Sequence, residues 1–295
     1  MPRYRLTIAY DGTEFCGWQK QEPPEAPAAA GEGAGVTAAY GERTPLMGSE
    51  REGRVALRTV QGVVEQAVRG VCRERVELVG ASRTDSGVHA RGQVAAFSTL
   101  PDGKGTGWPS ERGADRLMAA VNSRLPDDVT VLAASEVAVG FDPIGDAVKK
   151  MYSYTFSVGP VKPVWTRRVV NWLPRGELDV AAMNRAAELL VGEHDFAAFA
   201  AAGHGRLTTV RTVYSLSVSD AGSGDGGNRV VRMEVEGNGF LWNMVRIIAG
   251  TLMQVGLGQK SVEQVREALE SRDRAKAGLT APPQGLCLER IWYPE

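Results

Sequence analysis

This 295-residue chain has no long apolar run, few cysteines and almost no excess of charge. No stretch approaches the ~18 uncharged apolar residues that a membrane-spanning helix needs. The N-terminus also lacks the pattern of a secretory signal, because Tyr4, Leu6 and Ile8 alternate with other residues as they would in a strand. These absences predict a cytoplasmic protein that does not cross a membrane.

The cysteines, Cys16, Cys72 and Cys287, stand far apart and form no CxxC pair. An odd number without close spacing argues against a disulfide framework and against a zinc site, so we interpret them as small buried hydrophobic residues. The formal net charge is −1. A polyanion such as RNA would therefore have to bind a local patch of Arg and Lys instead of the field of the whole protein.

Three segments are poor in periodic pattern. Residues 22–54 are rich in Ala, Gly, Pro and Glu, which predicts a solvated, partly disordered insertion. Residues 101–113 predict a loop. Residues 222–228 separate two strand-like runs and predict the connection of a hairpin.

The rest of the chain alternates between helical and strand-like patterns. Thr59, Asp179 and a capping box of Ser261 and Gln264 predict the starts of three helices. A further amphipathic helix is predicted at 117–125, and an apolar, buried helix at 240–255. Strands are predicted at 3–10, 76–81, 92–98, 129–135, 152–158, 211–219, 229–236 and 287–293.

This order of elements predicts an α+β fold of two halves with similar pattern, residues 1–140 and 141–295. Each half is expected to be an RRM- or ferredoxin-like subdomain with a mostly antiparallel sheet, and the first half carries the 22–54 insertion. A sheet with one face free of helices is a natural platform for RNA.

The most concentrated polar segment is ASRTDSGVHA, residues 81–90, which lies between two predicted strands and therefore forms a loop. It brings Arg83, Asp85 and His89 within seven residues. From these residues alone, Asp85 could merely bond backbone amides in a turn, or serve chemistry beside a cation. A metal site is a weaker interpretation, because Asp85 and His89 would be only two ligands.

The longer segment ASRTDSGVHARGQVAAF resembles the catalytic motif of the TruA family of pseudouridine synthases, which modify the anticodon stem-loop of tRNA. Other segments resemble the same family, in the family's order, over nearly the whole chain apart from the insertion. They are IAYDGTEFCGWQKQ, RTVQGVVEQAV, RLMAAVNSRLPDDVTV, KKMYSYTF, GEHDFAAF, VRTVYSLSV, GNGFLWNMVRIIAGTLMQVG and APPQGLCLERIWY.

The resemblance implies roles for four residues. Asp85 matches the catalytic aspartate, and Arg83 the arginine that pairs with it and helps to displace the target base. Tyr152 matches the tyrosine that lies against the uracil, and Arg246 an arginine near the aspartate. The family acts on positions 38–40 of tRNA, as a homodimer without cofactor or metal, with a catalytic cleft flanked by the two subdomains.

The reaction breaks an N-glycosidic bond and remakes it at carbon 5 of the same uracil, so it needs no redox carrier. A carboxylate can attack the sugar or the base, or can start an elimination at the ribose, and the sequence leaves these routes open. Each route requires an ionised Asp85 beside a cation, which Arg83 or Arg246 would supply. The hydroxyl of Tyr152 is suited to take the proton from carbon 5.

Contacts to the tRNA phosphates are expected from basic residues near these motifs: Arg91, Lys149, Lys150, Arg206 and Arg211. His89 is expected to shape the loop by hydrogen bonding, and His194 to cap or pack at a helix end. Neither histidine is assigned a catalytic role.

Two features depart from the family pattern. One is the insertion, and the other is Ile144, which stands where the family usually has an arginine and puts a contact near the active site or the RNA in doubt. Two other interpretations stay open: the same chemistry on other uridines of tRNA or another RNA, and an RNA-binding module without catalysis. The presence of Arg83, Asp85 and Tyr152 together argues against the second, because a pure binder has no need of them.

Overall fold

A computed structural model of the chain describes residues 1–21, 56–100, 106–201 and 207–294. These residues form two compact units, Met1–Asp146 and Ala147–Glu295. Both units combine helices with mostly antiparallel strands, which confirms the predicted α+β class. The predicted 22–54 insertion and Arg206 lie outside the described residues.

The first unit is built on a small antiparallel sheet. Its strands are β1 (Arg3–Tyr10), β2 (Val79–Gly80), β3 (His89–Ser98) and β4 (Val129–Val137), and its helices are α1 (Val60–Cys72) and α2 (Ala114–Asn122). Strand β1 pairs antiparallel with both β3 and β4, and the short β2 pairs with β3. Along β1 every second side chain is buried, so one face of the strand lies on the core.

The second unit has a larger sheet. Its strands are β5 (Lys149–Val158), β6 (Asn171–Leu173), β7 (Gly192–Asp195), β8 (Val210–Ser223), β9 (Arg229–Gly237) and β10 (Leu286–Trp292), and its helices are α3 (Val180–Glu188), α4 (Met244–Gly256) and α5 (Val262–Ser271). The strand order is β10-β5-β9-β8-β7, with antiparallel neighbours, and β6 runs parallel to β5. Nearly all of α4 is buried, as its apolar sequence predicts.

Local capping signals predicted three helix starts correctly. The Thr59 side chain accepts a hydrogen bond from Gly62 N, and Asp179 accepts one from Ala182 N. Ser261 opens α5 with both bonds of the capping box. The hairpin connection predicted at 222–228 also joins β8 to β9.

Other boundaries differ from the predictions. Helix α4 begins at Met244 instead of residue 240, because Asn243 has a φ of 60° and a left-handed residue cannot continue an α-helix. The strand predicted at 76–81 shortens to β2, because side chains of α1 take its backbone groups: Arg69 donates to Val76 O and Glu65 accepts from Leu78 N. Strands β6 and β7 were not predicted, since three or four residues carry too little periodicity. None of the helices in the described ranges is long and apolar enough to cross a membrane.

Candidate active site

The loop between β2 and β3 carries Asp85. The side chain of Asp85 is half-buried, the preceding residue Thr84 is buried, and Arg83 is exposed. In the part of the chain that the structure describes, Arg83 makes no ion pair with Asp85 and no hydrogen bond. Its guanidinium is therefore available to a group that comes from outside this unit.

The turn that follows β1 holds the Asp85 loop on both sides of the aspartate. Trp18 N donates to Thr84 O at 3.0 Å, just before Asp85. After it, Ser86 Oγ donates to Phe15 O at 3.2 Å, and Gly87 N reaches the same oxygen at 3.4 Å. These bonds fix the backbone at Asp85 against the turn.

Two glycines allow the turn and the loop to approach so closely. A Cβ on Gly12 would lie 1.9 Å from Val88 O, which is far inside contact distance. Gly17 has a φ of +91°, and a Cβ there would lie 2.8 Å from Thr84 O. Any side chain at either position would push the loop away from the turn.

Buried side chains add further ties between these segments. The hydroxyls of Tyr10 and Thr84 lie 2.8 Å apart, and Gly12 N donates to His89 Nδ1 at 3.0 Å. At the other end of the loop Gln93, fully buried, accepts from Ser82 N at 3.2 Å and donates to Ser82 O at 2.5 Å. His89 thus has the hydrogen-bonding role predicted for it. Tyr10 and Gln93 were not predicted to support the loop, because they resemble ordinary strand residues.

In the second unit, Tyr152 lies on β5. Its side chain is buried, and its ring meets that of Phe240 edge-on, with centroids 5.3 Å apart. Tyr154, two residues on, is tied into the fold by its hydroxyl, which donates to Pro282 O at 2.7 Å. Burial raises the pKa of Tyr154 well above its ordinary value, although the charge of Arg246 acts to lower it.

Arg246 projects from the first turn of α4 and is held by its neighbours. Its Nε donates to Ala281 O at 2.8 Å, and its Nη1 donates to Asn243 Oδ1 at 2.7 Å. Backbone Ala281 N also donates to Arg246 O at 3.1 Å. The guanidinium therefore has a fixed position, which is what a pre-organised electrostatic group requires.

The basic residues that are predicted to contact phosphates differ in burial and in the contacts that their side chains already make within the protein. Lys149 Nζ lies 2.8 Å from Glu236 Oε2 and over the Trp292 ring, so its charge is already paired within the unit. Arg211 Nη1 donates to Thr208 O at 3.1 Å. Arg91 is exposed and Lys150 is half-exposed.

His194 lies in β7, opposite Arg211, and its ring packs edge-on against Phe196. Its Nε2 lies 3.0 Å from Val191 O, three residues after the last residue of α3. His194 therefore packs near a helix end, as predicted, although it belongs to a strand. Within the described ranges, no group of three His, Cys, Asp or Glu residues is placed to hold a metal ion.

Comparison with known proteins places these features in a family. Residues 186–294 match the family model described as tRNA pseudouridine synthase. The chain is 39% identical, over 296 residues, to tRNA pseudouridine synthase A of Geobacter sp. (strain M21), with 100% of both chains covered. It is 38% identical to tRNA pseudouridine synthase A of Thermoanaerobacter sp. (strain X514), covering 99% of this chain and 100% of that one.

A solved structure, described as an unknown protein from Galdieria sulphuraria, covers 86% of this chain and 91% of its own at 12% identity. Its TM-score of 0.19 is too low to support any conclusion.

Proposed function

This chain belongs to the tRNA pseudouridine synthase family and is an isomerase that acts on tRNA, and from that premise we propose that it converts uridines at positions 38–40 of the anticodon stem-loop with Asp85 as the nucleophile. The observation that carries the proposal is the match to tRNA pseudouridine synthase A over the full length of both chains. The geometry of the Asp85 loop supports the choice of residue.

The first proposed step is extrusion of the target base. A uridine in a stem must leave its stack at a cost of a few kcal/mol. Arg83 is suited to fill the gap, because its guanidinium is planar, exposed and without a partner in the described structure. The Arg83 side chain can therefore enter the RNA without first breaking a contact within the described structure.

The second step is breakage of the glycosidic bond by Asp85. The carboxylate is half-buried, and hydrogen bonds to one turn fix the backbone on both sides of it. A nucleophile held in this way needs little reordering to reach the substrate. We propose that Asp85 attacks the sugar or the base, and that the uracil detaches and turns until carbon 5 faces the ribose.

The last step closes the new bond from carbon 5 to the ribose, breaks the bond that Asp85 formed and so regenerates its carboxylate, and releases the proton of carbon 5, while N1 of the uracil gains one. We assign the removal of that proton to the Tyr152 hydroxyl. We assign to Arg246, fixed by Asn243 and Ala281, the stabilisation of negative charge in the reaction. No redox carrier takes part in this balance.

The proposal is tested by mapping the modified uridines. An unmodified tRNA transcript is incubated with the protein, treated with a carbodiimide that marks pseudouridine, and read by primer extension. We expect stops at positions 38–40 and no stop in a transcript with cytidine at those positions. Stops elsewhere would indicate another target uridine, and intact binding without stops would indicate a non-catalytic RNA-binding module.

The family resemblance also leads us to propose a homodimer. Light scattering after gel filtration measures the mass in solution directly. A mass close to the 31.6 kDa of a single chain would contradict this part of the proposal.

A further inference from the structure

The turn between β5 and β6, residues 160–170, exposes an unusual amount of apolar surface. The side chain of Trp165 is 88% exposed, and Val161 and Val164 beside it are 43% and 55% exposed. Single exposed apolar residues are common, but a contiguous exposed group that includes an indole marks an interaction site. We name this segment the Trp165 turn.

The Trp165 turn is held in place by the hairpin that joins β8 and β9. One oxygen of Asp225 accepts hydrogen bonds from the backbone N–H groups of Trp165 and Thr166, at 2.9 and 3.1 Å. The buried side chain of Asn228 bonds both backbone groups of Val161, at 2.6 Å to its oxygen and 3.3 Å from its nitrogen. The indole is therefore presented on a fixed backbone, so little conformational entropy is lost when a ligand covers it.

The charge of the turn has one sign. Residues 160–170 contain Lys162, Arg167 and Arg168 and no Asp or Glu, although the whole chain has a net charge of −1. Lys162 and Arg167 are exposed, and neither forms an ion pair with any residue that the structure describes. The neighbouring Asp225 faces the backbone of the turn and accepts hydrogen bonds from it.

The exposed indole and the positive charge together favour RNA over another protein as the binding partner of the Trp165 turn. An exposed aromatic ring with cations in the same segment is how single-stranded nucleic acid is held, with the ring stacked on a base and the cations near phosphates. The guanidinium of Arg167 donates to Val164 O within the turn and, among the described residues, forms no ion pair that would compete with a phosphate. A second copy of the chain fits less well, because a two-fold dimer brings the same surface of each copy together and would oppose like charges.

We propose that the Trp165 turn is a tRNA contact, in which Trp165 stacks on an unpaired base while Lys162 and Arg167 contact phosphates. The contact contributes to binding and leaves the chemical step unchanged. The inference rests on the proposed action on tRNA, although it does not depend on which uridine is modified.

The test measures the affinity for labelled unmodified tRNA by fluorescence anisotropy, with kcat and KM from tritium release. For Trp165→Ala we expect Kd and KM to rise about 5- to 150-fold, the range that stacking of one base accounts for. The kcat at saturating tRNA should equal that of the wild type. Trp165→Phe should recover most of the affinity, because it keeps an aromatic face.

A second variant tests the cations. Lys162→Gln combined with Arg167→Gln should reduce the slope of log Kd against log salt by about 1.4 to 1.8, as expected for two lost phosphate contacts. The matched control is Tyr214→Ala, which removes another exposed aromatic ring from a strand whose residues 212–219 carry no charge. Its tRNA affinity should stay at the wild-type value.

Two results would overturn the proposal. One is an unchanged Kd in Trp165→Ala, with a folded protein confirmed by circular dichroism. The other is a loss of oligomer mass in that variant by light scattering, which would make the turn an interface between copies. Both can be distinguished from failure of the proposed target uridines, because neither measurement depends on where the modification falls.

Discussion

The hydrogen bond between Tyr10 and Thr84 is predicted to position the loop that carries Asp85. It joins the last residue of β1 to the residue directly before Asp85, across 74 positions of sequence. Tyr10 and Thr84 are only 5% and 7% exposed, so water cannot easily take the place of a hydrogen-bond partner that is removed. We expect Tyr10→Phe to leave the Thr84 hydroxyl buried and poorly satisfied, and Thr84→Val to remove one hydrogen-bond partner of the buried Tyr10 hydroxyl.

The magnitude follows from that burial. A buried hydroxyl that loses its partner costs about 1–3 kcal/mol of folding free energy, so Tyr10→Phe should lose about that much, and Thr84→Val should lose about 0.5–1.5 kcal/mol for one net hydrogen bond. The double variant has neither hydroxyl, so none is left without a partner. Its loss of folding free energy should be smaller than the sum of the losses of the two single variants by about 1 kcal/mol. Because displacement of a reacting group by about 1 Å can cost a factor of 10², we expect kcat to fall about 10- to 100-fold in each variant.

Urea denaturation of the wild type, both single variants and the double variant gives the four free energies of this cycle, and tritium release gives kcat. Tyr4→Phe is the matched control, since Tyr4 is buried on the same face of β1 at the opposite end of the strand. It should leave kcat unchanged. Additive free energies, together with wild-type kcat in all three variants, would refute the positioning role.

Three other predictions concern separate parts of the structure. Gly12→Ala should unfold at a lower urea concentration and release tritium more slowly than the wild type, because its Cβ would overlap Val88 O; wild-type behaviour would contradict the close packing. Tyr152→Phe should bind tRNA normally but release tritium slowly, since only the hydroxyl is lost; an unchanged rate would exclude it as the base. Burial raises the pKa of Cys72 to about 11, so at pH 8 iodoacetamide should label it more slowly than half-buried Cys287, as mass spectrometry will show.

Features set by neighbouring residues could be predicted from the sequence. Strand β1 has the predicted bounds because its alternation of buried and half-exposed residues is written in consecutive positions. Helix starts at Thr59 and Ser261 follow from side chains that reach only three residues forward. Such signals need no knowledge of the rest of the fold.

Features set by distant contacts could not be predicted from the sequence. The strand at 76–81 is curtailed by Arg69 and Glu65 of a helix, and no pattern within the strand reveals that competition. The Asp85 loop was predicted as a loop, but its support by Tyr10 and Phe15 depends on contacts more than 70 residues apart. Motif resemblance made Asp85 the candidate nucleophile, whereas the hydroxyls and glycines that hold its loop emerged only from packing.

The measurement that tests the central claim most directly is tritium release from tRNA transcript labelled at uracil carbon 5, with wild type and Asp85→Asn compared side by side. The variant keeps the shape of the side chain and removes its negative charge, so a loss of activity reports on the carboxylate itself. We predict rapid release by the wild type and none by Asp85→Asn, with tRNA affinity retained in both. Sustained release by Asp85→Asn would contradict the assignment of Asp85 as the nucleophile.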